Sequence, residues 1–171
     1  IFIAGGDQSN YIRYWKDTPV EDAINHVAAK PAPIGGTSAG MAIMGELVYS
    51  AEGKESLTAA AALADPFAAD LTLARDFLAL QGLENTITDQ HLQERDRIGR
   101  TVALLARLQK DGWSETPRAI AARRAGAAVI ARPCVFSAPP GGRWRAACRK
   151  WSPMPANAGG CTSATSRSRW A

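Results

Sequence analysis

The 171-residue chain has no apolar run as long as the roughly 18 residues a membrane-spanning helix needs, so it carries no such helix. It has three cysteines, too few and too odd a number to staple a fold of this size. It has two histidines, His26 and His91, without metal-ligand spacing, and no zinc site is expected. It contains neither G-K-[ST] nor G-x-G-x-x-G, which argues against a phosphate-binding or dinucleotide-binding loop. Hydrophobic residues make up 46% and charged residues 21%, which excludes disorder throughout, collagen and coiled coil. The most uneven lack is of acid: no Asp or Glu follows Glu115.

That gap divides the chain. Residues 1–115 hold all 16 acids and 10 of the 20 bases, a net charge of −6. Residues 116–171 hold the other 10 bases, all three cysteines (Cys134, Cys148, Cys161) and three of the five tryptophans. The overall +4 describes neither part, so each is read separately. The chain starts at Ile1 rather than Met; it is expected to be a fragment or a processed product, and its compartment is left open.

Ile1-Phe2-Ile3-Ala4 reads as a buried strand that stops at Gly5-Gly6. Val20, Ile24 and Val27 have helical spacing, and Pro31 and Pro33 end that helix. Ile34 leads into Gly35-Gly36-Thr37-Ser38-Ala39-Gly40, a glycine-rich turn opening an apolar helix through Leu47, and 47–49 reads as another short strand. Asp65-Pro66 predicts a helix start, with Leu71, Ala74, Phe77 and Leu78 as its stripe and Gly82 as its stop. Residues 85–88 predict a strand, and 94–110 the strongest helix, with Ile98, Val102, Leu105 and Leu108 on one face. Residues 116–122 could begin a further strand. Strands alternating with helices imply an α/β fold with a parallel sheet, its functional loops at the carboxyl ends of the strands. From Arg123 onward no strand or helix spacing repeats. Two readings remain: a basic, partly disordered extension, or translation of GC-rich coding sequence in a wrong frame, which the Arg, Ala, Pro, Gly, Ser, Trp and Cys content favours.

Gly36-Thr37-Ser38-Ala39-Gly40 matches G-x-S-x-G. In a nucleophile elbow the flanking glycines permit a sharp turn that lifts the serine hydroxyl clear, and the next backbone N–H, on Ala39, faces a developing oxyanion. The plain alternative is a turn that packs strand against helix. Gly5-Gly6-Asp7-Gln8 could likewise offer backbone N–H groups, or be an ordinary strand-to-helix turn. Residues 89–100 form the densest polar cluster, in which His91 stands where a general base would be needed and Arg95, Arg97 and Arg100 could fork carboxylates. The alternative is a solvated helix start. Between Ser38 and His91 the acids are Glu46, Glu52, Glu55, Asp65, Asp70, Asp76, Glu84 and Asp89, and spacing does not choose the one that would orient the histidine.

GGDQ after a strand, GTSAG at the turn and DQHLQERDRIGR together resemble the cyanophycinase-like serine peptidases, over residues 1–110. The resemblance implies a flavodoxin-like three-layer α/β sandwich with a parallel sheet, related to class I glutamine amidotransferases and here truncated. It implies hydrolysis of β-Asp-Arg units, with α-aspartyl dipeptidase, which removes N-terminal aspartate, as the alternative activity. By resemblance the nucleophile is Ser38, the base His91 and the acid Glu55, with Glu52 second. The oxyanion donors are Ala39 and the Gly5–Gly6 backbone. The substrate pocket comprises Gln8, Asp89, Gln90, Arg95, Arg97 and Arg100. No cofactor is implied. The partner is a peptide bearing aspartyl and arginyl groups, with a homodimer possible and neither membrane nor nucleic acid expected; the contrary reading has the +10 tail binding nucleic acid. Residues 1–122 are expected to form part of this hydrolase domain, lacking the strands that precede GGDQ in the family, and residues 123–171 a basic tail of low order.

Overall fold

The computed structural model describes residues 1–53 and 57–123, and the backbone of three further strands at 127–131, 134–138 and 145–148. The order opens with β1 (Phe2–Ile3), α1 (Gln8–Trp15), α2 (Pro19–Ala28), β2 (Ile34–Thr37), α3 (Ala39–Ala42), β3 (Leu47–Tyr49) and α4 (Ala59–Ala64). It continues with β4 (Leu73–Arg75), β5 (Thr86–Asp89), α5 (Ile98–Lys110), β6 (Arg118–Ala121), β7 (Ala127–Ala131), β8 (Cys134–Ala138) and β9 (Arg145–Cys148).

The strands form two sheets, ordered β1-β2-β7-β8-β9 and β4-β3-β5-β6. β1–β2, β3–β5 and β5–β6 pair in parallel, while β4 joins β3, and β7, β8 and β9 join in turn, antiparallel. The sheets are therefore mixed rather than parallel throughout. Within the stretch where the sequence shows no repeating strand spacing, β7 and β8 pair as a ladder, while 149–171, the end of the expected basic tail, lie outside the described residues.

Alternation along the strands of the second sheet sorts side chains into two cores. Leu47, Tyr49, Ile87 and Ala119 join Ala62 of α4 and Leu104 and Leu108 of α5. Val48, Ala74 and Ile120 join the opposite cluster, with Ile12 of α1, Ile24 of α2 and Ile3 of β1. A sheet covered on both faces by helices has three layers.

Local chemistry sets the helix boundaries. Asp7 caps α1 by accepting from the Ser9 backbone N–H at 2.9 Å and the Ser9 hydroxyl at 2.7 Å. Thr18 caps α2 ahead of Pro19, and Thr58 caps α4. α1 has no counterpart in the sequence reading, because its polar residues Gln8 and Ser9 are buried and blur its stripe.

Three expectations fail for identifiable reasons. The expected helix after Asp65 is absent: the Asp65 carboxylate accepts from the Phe67 N–H at 2.8 Å, a turn contact, and residues 73–75 pair with β3 instead. Asn25 of α2 then donates to the Phe77 carbonyl at 3.0 Å and accepts from the Ala79 N–H at 2.9 Å, which satisfies that stretch without a helix. The apolar helix expected through Leu47 stops at Ala42, where Thr88 Oγ1 donates to the Met41 carbonyl at 2.7 Å. α5 buries Arg100, Thr101, Ala103, Leu104 and Leu108, leaving Ile98 60% exposed and Val102 exposed too. Its inward face is turned toward the polar partner of Arg100 rather than set by the most apolar residues.

The two glycines of the G-x-S-x-G turn are packing residues. A Cβ on Gly36 would lie 2.3 Å from the Gly40 carbonyl oxygen, and one on Gly40 would lie 2.2 Å from that of Ile3. These are backbone atoms that cannot swing away. Gly40→Ala is therefore expected to cost about 3 kcal/mol or more, whereas Gly82→Ala, with open space but φ of +92°, should cost only about 1–2 kcal/mol. Chemical denaturation of both variants checks the order; equal midpoints would contradict the close approach.

Candidate active site

Ser38 follows β2, His91 follows β5, Gly5 and Gly6 follow β1, and Ala51 follows β3. The carboxyl ends of these strands thus bring together residues far apart in the chain, as open α/β sheets do at their ligand sites. Ser38 has φ 49° and ψ −119°, an unfavourable conformation for a residue with a Cβ. The turn presents its hydroxyl 3.1 Å from Nε2 of His91. A Cβ on Gly5 would meet the Ser38 Cβ at 3.1 Å, so the Gly5 backbone lies directly against the serine. Ala39, the other expected oxyanion donor, is buried and begins α3.

His91 also has a positive φ, 54°. Its segment is pinned to the end of β6: Leu92 N–H donates to the Ala122 carbonyl and Gln93 N–H to that of Arg123, both at 2.9 Å. Nδ1 of His91 lies 2.5 Å from Oε2 of Glu94, three residues on. The sequence reading did not single out Glu94, because it looked for an acid between serine and histidine. The signal available was the histidine–carboxylate spacing itself. Glu55, the acid implied by resemblance, lies outside the described residues. Glu52 is exposed, and its backbone N–H donates to Thr72 Oγ1.

Beside Ser38 opens a cavity of about 300 Å³ lined by Gly6, Asp7, Gln8, Tyr49, Ala51, Gly53, Gln90, Arg95, Arg97 and Arg100. Arg100 is 1% exposed. Its Nε donates to Asp89 Oδ2 at 3.2 Å, Nη2 donates to Oδ1, and the guanidinium stacks 4.8 Å from the centre of the Tyr49 ring. Asp89 accepts further from Thr101 Oγ1 and from the Gln90 N–H. Asp89 is buried beneath the cavity rather than in its lining.

Arg97 is 5% exposed and uses Nη1 on the Gln90 carbonyl at 3.1 Å and the Gln90 side-chain oxygen at 2.9 Å. Burial, then the nearby Arg100 charge, pushes Arg97 down to about 10, so it stays cationic at neutral pH. Burial raises the Tyr49 phenol, which is neutral there as well. Gln8 donates to the Tyr49 carbonyl at 2.7 Å and is held by β3. Arg95 is exposed at the cavity wall. Two buried guanidinium groups thus face one buried carboxylate. The excess positive charge, next to a paired serine and histidine, suits an anionic group on a substrate.

Comparison with known proteins finds cyanophycinases among the chain's relatives. The chain is 33% identical over 107 residues to the cyanophycinases of Trichormus variabilis and of a Nostoc species. It is 28% identical over 107 residues to the cyanophycinase of Synechococcus elongatus. Each alignment covers 62% of this chain but 30–32% of the relative, so the chain spans about a third of the length of the curated relatives it matches. No family model matches the chain, and no solved structure does. Among the described residues no helix is long and apolar enough to cross a membrane.

Removing one partner of the buried ion pair should be costly. Asp89→Ala strands the Arg100 charge beside Arg97 and is expected to cost about 3–5 kcal/mol. The double variant Asp89→Ala/Arg100→Met removes both charges and should recover part of that loss. Urea unfolding of the three proteins is the measurement; a double variant no more stable than Asp89→Ala would contradict the pairing.

Proposed function

We propose that residues 1–122 carry the catalytic centre of a serine hydrolase of flavodoxin-like α/β type. More narrowly, the site is that of a cyanophycinase-like peptidase, cutting beside a β-linked aspartyl unit that bears arginine. The observation that carries this reading is the 3.1 Å approach of Ser38 Oγ to His91 Nε2 at converging strand ends, beside an arginine-walled cavity. The similarity to cyanophycinases supports it.

In this mechanism Ser38 Oγ attacks the scissile carbonyl carbon while its proton passes to Nε2 of His91. The backbone N–H groups of Ala39 and of Gly5–Gly6 hold the resulting oxyanion. The intermediate collapses, the C–N bond breaks, and His91 returns the proton to the leaving amine. Water, deprotonated by His91, then releases the acyl group from Ser38. Arg97 and Arg95 receive the free carboxylate of the arginine that the aspartyl unit bears, because Arg100 is already committed to Asp89. Gln8 and Gln90 shape the same cavity. Asp89 acts from beneath, by keeping Arg100 and Gln90 in place.

The test is hydrolysis of an oligomer of several β-Asp-Arg units, with Asp-X dipeptides as the competing substrate class. Ser38→Ala is expected to lower kcat/KM by about 10⁴-fold or more, and a fluorophosphonate should label Ser38 and no other serine. Arg97→Gln is expected to raise KM more than it lowers kcat. Full activity in Ser38→Ala would overturn the nucleophile, and preference for Asp-X would move the substrate to the dipeptidase class.

A further inference from the structure

The two nitrogens of the His91 ring have different partners, Ser38 Oγ on Nε2 and Glu94 Oε2 on Nδ1. An ionised carboxylate offers acceptors alone, so the nitrogen facing it must carry hydrogen. The other nitrogen then keeps its lone pair for the serine hydroxyl. This is the tautomer a general base needs, and it is not the one free imidazole prefers.

The contact is built into the chain rather than left to a floppy side chain. The Arg95 N–H donates to the His91 carbonyl at 3.1 Å and the Arg97 N–H to the Leu92 carbonyl at 2.8 Å, closing the turn that carries Glu94 back over the histidine. The His91 side chain is 12% exposed and that of Glu94 43% exposed. The ring is thus enclosed, while its carboxylate partner stands toward solvent.

We propose that Glu94 is the positioning residue of the Ser38–His91 pair, fixing the ring and its Nδ1–H tautomer from three residues downstream. The order along the chain is then serine, histidine, acid. This rests on the hydrolase reading above and adds a residue that the resemblance does not assign.

¹⁵N spectra of the histidine rings in the whole chain test the proposal directly. His26 is the only other histidine and serves as the internal reference. In the parent protein neutral His91 should be protonated on Nδ1; in Glu94→Ala it should shift to the Nε2–H form. In Glu55→Ala it should remain on Nδ1. With an oligomer of β-Asp-Arg units as substrate, Glu94→Ala should lose about 100-fold in kcat with KM within about twofold, less than the loss for a buried triad acid because Glu94 faces water. Glu94→Gln, which retains an acceptor oxygen, should recover part of that rate. A parent ring protonated on Nε2, a tautomer unchanged in Glu94→Ala, or a switch produced by Glu55→Ala would each overturn the assignment. Because the spectra read the ring without substrate, a parent protein that shows the Nδ1–H form yet cleaves no aspartyl peptide would count against the hydrolase reading and leave the role of Glu94 in holding the ring intact.

Discussion

The buried carboxylate of Asp89 is the constraint on which the site depends. It ends β5 and accepts from Arg100, Thr101 and the backbone of Gln90. Four donors on two oxygens leave it little freedom. One end of this network rotates α5 so that Arg100 and Thr101 face inward, at the expense of Ile98 and Val102, which turn outward. The other end fixes the backbone immediately before His91. A single charged group therefore sets the orientation of a helix and the starting point of the loop that carries His91. Such a buried pair is weak as a source of net stability but strongly resists loss of one partner, which suits a group whose task is to hold geometry.

Above this anchor, parallel pairing does the assembly. β1 and β2 run together, as do β3, β5 and β6, so the segments leaving them emerge on the same side of each sheet. α3 packs between these groups of strands, and Thr88 of β5 bonds to the carbonyls of Met41 and Ala42 at its end. That contact ties the serine turn to the histidine strand. The positive φ values at Ser38 and His91 are the local cost of aiming two side chains at each other from separate strands. Gly36 and Gly40 allow β2, α3 and β1 to approach closely enough for the turn to close.

Much of this was legible because it is local in sequence. The elbow, the glycine pair after β1, the strand before His91 and the long helix after it each leave a compact pattern. What was missed depends on tertiary partners. The stretch after Asp65 has a helical stripe, yet β3 needed an antiparallel neighbour and Asn25 supplied bonds to Phe77 and Ala79. The face of α5 follows Arg100 because Asp89, eleven residues earlier, is a stronger determinant than Ile98. α1 is hidden by the buried Gln8, whose amide bonds to the Tyr49 carbonyl far along the chain. Glu94 escaped because the expected order of a catalytic triad directed attention upstream of the histidine. The role of each group of residues is set by what it touches, and spacing reports contacts only when they lie within a turn or two.

The charge argument is the same lesson on a larger scale. The chain is +4 overall, and the sum invites an acidic partner; but the part holding the site is −6. At the cavity the local balance reverses again: Arg95, Arg97 and Arg100 line it with one carboxylate, Asp7, while Asp89 is buried against Arg100. Exposed acids such as Asp17 and Asp76 lie in water, where their fields fade within roughly 8 Å at physiological salt. The buried guanidinium groups act through a medium that screens them far less. A charged group entering the cavity would meet their field rather than that of the molecule as a whole, so the local charge of the cavity is set by a few enclosed side chains in an otherwise acidic segment.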